Sequence, residues 1–128
     1  MGPVQSAVSQ PQGYGDEHLS VDFQQQVVSL DNQRMTLTRK EYDLLSLMVR
    51  HAGQIVPRDV LLLEVWGYGV EIRTRTLDVH VRRLRKKLGS YADQYIETIF
   101  GIGYRFQPFH APRYFQAPVD QPAFAIGA

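Results

Sequence analysis

Groups able to do chemistry are few in this chain and poorly placed for catalysis. Its 128 residues include no cysteine and four histidines, His18, His51, His80 and His110. None of the histidines stands in an HExxH or comparable ligand spacing, and thiolate metal sites are excluded outright. Gly101-Ile102-Gly103 begins like a dinucleotide loop, yet Phe106 replaces the third glycine and no helical pattern follows, so the run reads as a hairpin turn. Neither an enzymatic role nor any cofactor or metal is therefore expected. What the chain concentrates instead is positive charge. Seven of its fourteen Lys and Arg residues lie between Arg73 and Leu88, against one acid, Asp78. That stretch carries about +6 in a chain of formal net charge +1, which leaves about −5 for the rest.

On a helical wheel, Leu77, Val81, Leu84 and Leu88 form one narrow stripe and Arg75, Val79, Arg82 and Lys86 occupy the opposite side. A basic face opposite an apolar stripe suits a solvated surface helix, a membrane-surface helix or a helix presented to nucleic acid. In the third case the chemistry is specific. An arginine fork engages guanine O6 and N7, or two phosphate oxygens, at once, and a major groove roughly 12 Å wide admits one helix. Arg75, Val79, Arg82 and Lys86 would face bases, Val79 offering apolar contact to a thymine methyl. Arg83 and Arg85 would flank them toward phosphates, with Thr76 beside them. His80, at the edge of the basic face, reads as a phosphate neighbour or a solvated residue. Asp78 is spaced to salt-bridge Arg82 or Arg75, with acceptance from cytosine as the alternative.

Such a helix needs elements to hold it. With 44% hydrophobic and 21% charged residues the chain has the composition of one globular domain, and no apolar run approaches the roughly 18 residues of a membrane span. Residues 1–16, rich in Gln, Ser, Gly and Pro, read as a disordered linker or cloning-derived segment. From Leu19 come three short strand-like runs, LSVDF, QVVSL and Arg34–Leu37, which fit an antiparallel meander. Thr38 with Glu41 spells a capping box, and Leu37 with Tyr42 a hydrophobic staple, opening a helix that runs to about His51 or Ala52 before Gly53. Ile55-Val56 reads as an apolar linker. Pro57 then starts a second helix that ends at Trp66, a residue read either as core or as an indole N–H aimed at a phosphate. Thr74 or Thr76 would cap the basic helix. After it, residues 95–106 read as a two-stranded hairpin. Residues 108–128 combine four prolines with Phe109, Tyr114, Phe115 and Phe124, a mobile tail able to dock.

The expected fold is α+β: a winged helix-turn-helix with an N-terminal β-meander, three helices and a C-terminal hairpin wing, spanning residues 17–107. A winged helix used for protein or RNA interaction is the rival reading, since fold alone does not fix function.

The runs LTRKEYDLL, RDVLLLEVWG, RTLDVHVRRLRKKL and YIETIFGIGYRF together resemble the DNA-binding effector domain of OmpR/PhoB-type two-component response regulators, over about residues 19–107. The resemblance implies binding of direct-repeat double-stranded DNA as a head-to-tail pair, in the bacterial cytoplasm at the nucleoid. It implies DNA contact by Arg75, Val79, Arg82, Arg83 and Arg85, phosphate contact by Trp66 and Thr98, and a wing tip at Phe100, Gly101, Ile102 and Gly103. It also implies an RNA polymerase contact in the loop Gly67, Tyr68, Gly69, Val70 and Glu71. Two positions depart from the family pattern. Phe100 stands where relatives often carry an arginine that reaches toward the minor groove, and Pro57 where they often carry a serine cap. The family's phosphorylatable receiver domain has no room ahead of the meander, so the resemblance implies an isolated domain of a phosphorelay regulator, or a shortened one.

Overall fold

The capping spacing at Thr38 opens the first helix. In the computed structural model, which describes residues 11–67 and 74–116, α1 runs Arg39–Arg50. The Glu41 N–H donates to Thr38 Oγ1 at 3.2 Å and the Thr38 N–H donates to Glu41 Oε1 at 2.9 Å, which satisfies two of the helix's orphan donors. Gly53 follows with φ +83°, the left-handed geometry a glycine adopts without penalty. α2 spans Arg58–Trp66 with Pro57 at its cap position, where no side chain replaces the missing cap bond. α3 spans Thr74–Leu88. A 3-10 turn at Gly89–Tyr91 and the short α4, Ala92–Tyr95, carry the chain from α3 toward the wing.

Two antiparallel sheets frame these helices. β1 is Gly13–Gly15, β2 Leu19–Asp22, β3 Val27–Leu30, β4 Gln33–Arg34, and β8 Arg113–Phe115; they form one sheet in the order β4-β3-β2-β1-β8. β5, Ile55–Pro57, β6, Ile96–Ile99, and β7, Gly103–Phe106, form a second in the order β5-β7-β6. The meander is thus present, but its third strand stops after two residues, so the expected strand at Arg34–Leu37 is mostly irregular chain.

Both ends of the domain lie farther out than the sequence suggested. Residues 13–15 are a strand rather than part of a disordered linker, and Tyr14 is fully buried, its ring edge-on to Phe106 at 5.6 Å and to Tyr114 at 5.3 Å. Its partner strand β8 comes from the supposedly mobile tail: Gly13 pairs with Phe115, Tyr14 with Tyr114 and Gly15 with Arg113. Glycine suits position 13 because a Cβ there would displace the Phe115 ring and come within 2.9 Å of the Val21 carbonyl oxygen. The Tyr114 hydroxyl also donates to the Val49 carbonyl of α1. The boundaries at 17 and 107 therefore move outward, for a packing reason that local composition hides.

Asp16, also placed in the linker by its surroundings, ties this corner together. Its carboxylate accepts from the Tyr14 and Tyr95 hydroxyls and from the backbone N–H groups of His18, Leu19 and Phe109. Burial pushes its acidity down, but these donors outweigh burial and hold its pKa below the usual carboxylate value. Tyr14 and Tyr95 are correspondingly harder to ionise, first because they are buried and then because they face that carboxylate.

The second sheet gains a strand as well. Ile55-Val56, expected as a linker, pairs with β7 so that Val56 lies opposite Tyr104 and Pro57 opposite Gly103. Gly103 is obligatory, since a Cβ would overlap the Val56 carbonyl oxygen. One apolar core joins Tyr14 and Val21 of the large sheet, Leu44, Leu45 and Met48 of α1, Leu61 of α2, Leu77, Val81, Leu84 and Leu88 of α3, and Tyr95 and Phe106 beside the wing. Burying each such Leu is worth about 1.5–3 kcal/mol.

Candidate nucleic-acid interface

α3 is held on three of its four sides. The stripe Leu77, Val81, Leu84 and Leu88 is at most 1% exposed, which sets the helix's rotation about its axis. At about 100° per residue, Asp78 and Arg85 fall on one flank and His80 and Lys87 on the other, and each flank is tethered.

On the wing flank, Arg58 at the start of α2 donates through Nη2 to both Asp78 carboxylate oxygens, at 2.7 and 2.8 Å. The Tyr104 hydroxyl of β7 donates to the same carboxylate at 2.7 Å. Asp78 therefore pairs across elements and not with Arg75 or Arg82, because its side of the helix faces α2 and the wing. Carrying this pair raises the basicity of Arg58, although burial works against it. One turn on, Arg85 Nη2 donates to the Ile96 carbonyl at 2.9 Å and to Thr98 Oγ1 at 2.6 Å. Its guanidinium carbon lies 5.7 Å from the centre of the Tyr104 ring. Arg85 and Thr98, both expected at phosphates, thus have each other as partners, and the bond ties the wing to α3.

On the far flank, Lys87 Nζ donates to Glu41 Oε1 at 2.6 Å, so the α1 capping carboxylate, 2% exposed, is also a counter-charge for α3. Burial would raise the Glu41 pKa, but the Lys87 ammonium and the Thr38 N–H hold it below its ordinary value. His80 is half-buried; its Nδ1 is 2.8 Å from the Thr76 carbonyl, and its ring meets Trp66 edge-on at 5.1 Å. Lys40 Nζ donates to the Val65 carbonyl at 2.9 Å and lies 5.7 Å from the centre of the Trp66 ring. Trp66 is thereby half in the core, and among the described residues its indole N–H has no hydrogen-bond partner. Core packing and a donor without a partner among the described residues coexist in one side chain.

The fourth side is different. Arg75, Arg82, Arg83 and Lys86 are exposed, Val79 is half-exposed among them, and among the described residues none of the four cations has an ion pair or hydrogen bond. Thr76 is half-exposed at the margin of this face and lies within the helix. Thr74 is helical too, so the α3 cap falls outside the described residues, as do Tyr68, Gly69, Val70 and Glu71. Gly67 closes α2, its N–H donating to the Leu63 carbonyl at 2.8 Å.

Beside α3 the wing tip exposes Phe100 and Ile102 around Gly101. The Arg58 N–H donates to the Ile102 carbonyl at 2.9 Å, tying that tip to α2. Sequence spacing pointed to the cationic face but missed Arg58, whose partner is 20 residues away and invisible to helical periodicity.

A basic helix with a buried stripe, a supporting helix before it and a hairpin clamped beside it is a winged helix-turn-helix. The family model described as "Transcriptional regulatory protein, C terminal" matches residues 32–106. The chain belongs to this family. Its relatives are OmpR/PhoB-type response regulators. It is 45% identical over 89 residues to the transcriptional regulatory protein HprR of Escherichia coli K12, a match covering 69% of this chain and 40% of HprR. The chain thus spans about two-fifths of that relative's length. The response regulator DrrB of Thermotoga maritima, described as an OmpR/PhoB homolog, superposes with a TM-score of 0.72 at 28% identity, covering 83% of this chain and 48% of DrrB. The Klebsiella pneumoniae RstA DNA-binding domain, solved in complex with the RstA box, superposes with a TM-score of 0.68 at 32% identity, covering 77% of this chain and 99% of that one. These matches bear out the expected fold class and family.

Proposed function

We propose that this domain binds double-stranded DNA sequence-specifically as the output module of a transcriptional response regulator. The observation that carries the reading is the contrast around α3: Asp78, Arg85 and Lys87 on its flanks are paired within the domain, whereas Arg75, Arg82, Arg83 and Lys86 face outward without a counter-charge among the described residues. A phosphate-lined groove supplies that counter-charge. Arg75, Val79, Arg82 and Lys86 then face base edges. Arg83, Thr76, Trp66 and His80 face phosphates, and Arg85 with Thr98 fixes the wing. The complex of the RstA DNA-binding domain with the RstA box supports the same use here. Binding rather than catalysis is the role assigned.

The wider reading, drawn from the family, is a head-to-tail pair on direct repeats, contact with RNA polymerase through residues 67–71, and work at the bacterial nucleoid. Selection of bound sequences from a random duplex pool, followed by salt titration, tests the core of it. Enriched direct repeats and a log–log salt slope near −0.9 per phosphate contact are expected. Failure to enrich any duplex would overturn the reading and favour a protein or RNA partner.

A further inference from the structure

Phe100 is 88% exposed and Ile102 51%, while the other large apolar side chains exposed among the described residues lie between 38% and 42%. Scattered apolar residues on a surface are ordinary, but two of them at the tip of a braced turn are not. Gly101 between them has φ +77°, a left-handed geometry that favours glycine and makes the turn tight. The Ile102 N–H donates to the Ile99 carbonyl at 2.9 Å, and the Ile102 carbonyl accepts from the Arg58 N–H at 2.9 Å. Two residues below Phe100, Thr98 accepts from Arg85; two residues below Ile102, Tyr104 donates to Asp78. Both legs of the tip are therefore fastened to the flank of α3. The tip stands about 7 Å beyond those fastenings, at roughly 3.3 Å per strand residue.

With α3 in a major groove, an element fastened to its flank and extending past it meets the sugar–phosphate ridge and the minor groove next to it. A phenyl ring and a branched alkyl group cannot neutralise a phosphate or donate to a base edge. They can pack on deoxyribose and press into a base step, partly unstacking it. We propose that Phe100 and Ile102 form an apolar wedge which senses how easily the DNA beside the α3 site deforms, adding a preference for pyrimidine–purine steps, the steps that unstack most readily. The proposal rests on the DNA-binding reading above.

The test uses the full chain and a duplex taken from the random-pool selection, with its flank changed between a TA step and a G·C-rich step, and fluorescence anisotropy as the readout. Phe100→Ala is expected to weaken binding to the TA-flanked duplex roughly five- to tenfold and to leave the G·C-flanked duplex unchanged, with the salt slope unaltered. Phe100→Arg, which exchanges the wedge for a phosphate contact, is expected to bind both duplexes with equal affinity, losing the TA preference, and to steepen the slope by about 0.9. Equal binding by wild type and Phe100→Ala on both flanks overturns the wedge, as does an equal loss on both. A loss confined to duplexes with two sites also overturns it, because the tip would then touch a second copy of the protein. Arg82→Ala separates the two readings: if it weakens binding while Phe100→Ala does nothing, the wedge alone fails, and if neither matters, DNA binding by this face fails as well.

Discussion

The outward face of α3 and the corner around Asp16 handle charge in opposite ways. At Asp16, one carboxylate collects two hydroxyls and three backbone N–H groups from strands, α4 and the tail. On α3, Arg75, Arg82, Arg83 and Lys86 collect nothing from the described residues around them. A satisfied cluster holds a fold together, while an unsatisfied one on a rigid scaffold is free to act on something else. Stability and binding should therefore separate under mutation.

The largest effect is expected from the unsatisfied side. Replacing Arg75, Arg82 and Arg83 together by alanine should weaken specific DNA binding at least a hundredfold, since each contact contributes about 1–3 kcal/mol, while the thermal midpoint stays within a few degrees. A gel-shift titration beside a melting curve measures both; unchanged binding would break the contrast. Next, Asp16→Ala strands two buried hydroxyls and should cost about 2–3 kcal/mol of stability, read by urea unfolding, with affinity at low temperature nearly unaltered.

A mixed outcome is expected where the two kinds of region meet. Asp78→Asn should weaken DNA binding roughly tenfold without touching DNA, by loosening the Arg58 and Tyr104 clasp on α3, at a folding cost of about 1 kcal/mol. Arg58→Ala, which removes the nitrogen that donates to both Asp78 oxygens, should repeat it. An Asp78→Asn variant with intact affinity would show that the clasp does not set the helix angle.

The smallest effect concerns acid. Asp16 and Glu41 both have folded pKa values lowered from the ordinary carboxylate range. Their contribution to stability is full above the unfolded values, roughly pH 4, and drains away as pH falls through the lower folded values. Unfolding free energy measured between pH 6 and pH 3 should therefore drop, and less steeply in Asp16→Ala than in the wild type.

The parts that were legible in the sequence are those with a local rule. The Thr38–Glu41 box, the stripe from Leu77 to Leu88 and its opposite cations obey fixed helical spacings, and the structure contains them as read. β1 was hidden because Gly13 and Gly15 argue against a strand, and the lack of a side chain at Gly13 makes sense only once Phe115, a hundred positions away, lies over it. β5 was hidden because three residues carry too little pattern, and Pro57 counts against a strand except at an edge, where it sits. Asp78 was misassigned because helical spacing favours Arg75 and Arg82, while the flank it occupies belongs to Arg58. The expected polymerase loop beyond Gly67 lies outside the described residues.

The pairing of β1 with β8 also governs how the domain joins anything else. The Gln12 N–H donates to the Phe115 carbonyl at 2.8 Å, so the described chain enters and leaves at neighbouring strands. Whatever is attached at Gln12 and at Phe115 leaves from the same edge of the large sheet, so a pull applied through both attachments would load the β1–β8 hydrogen bonds before it reaches α3.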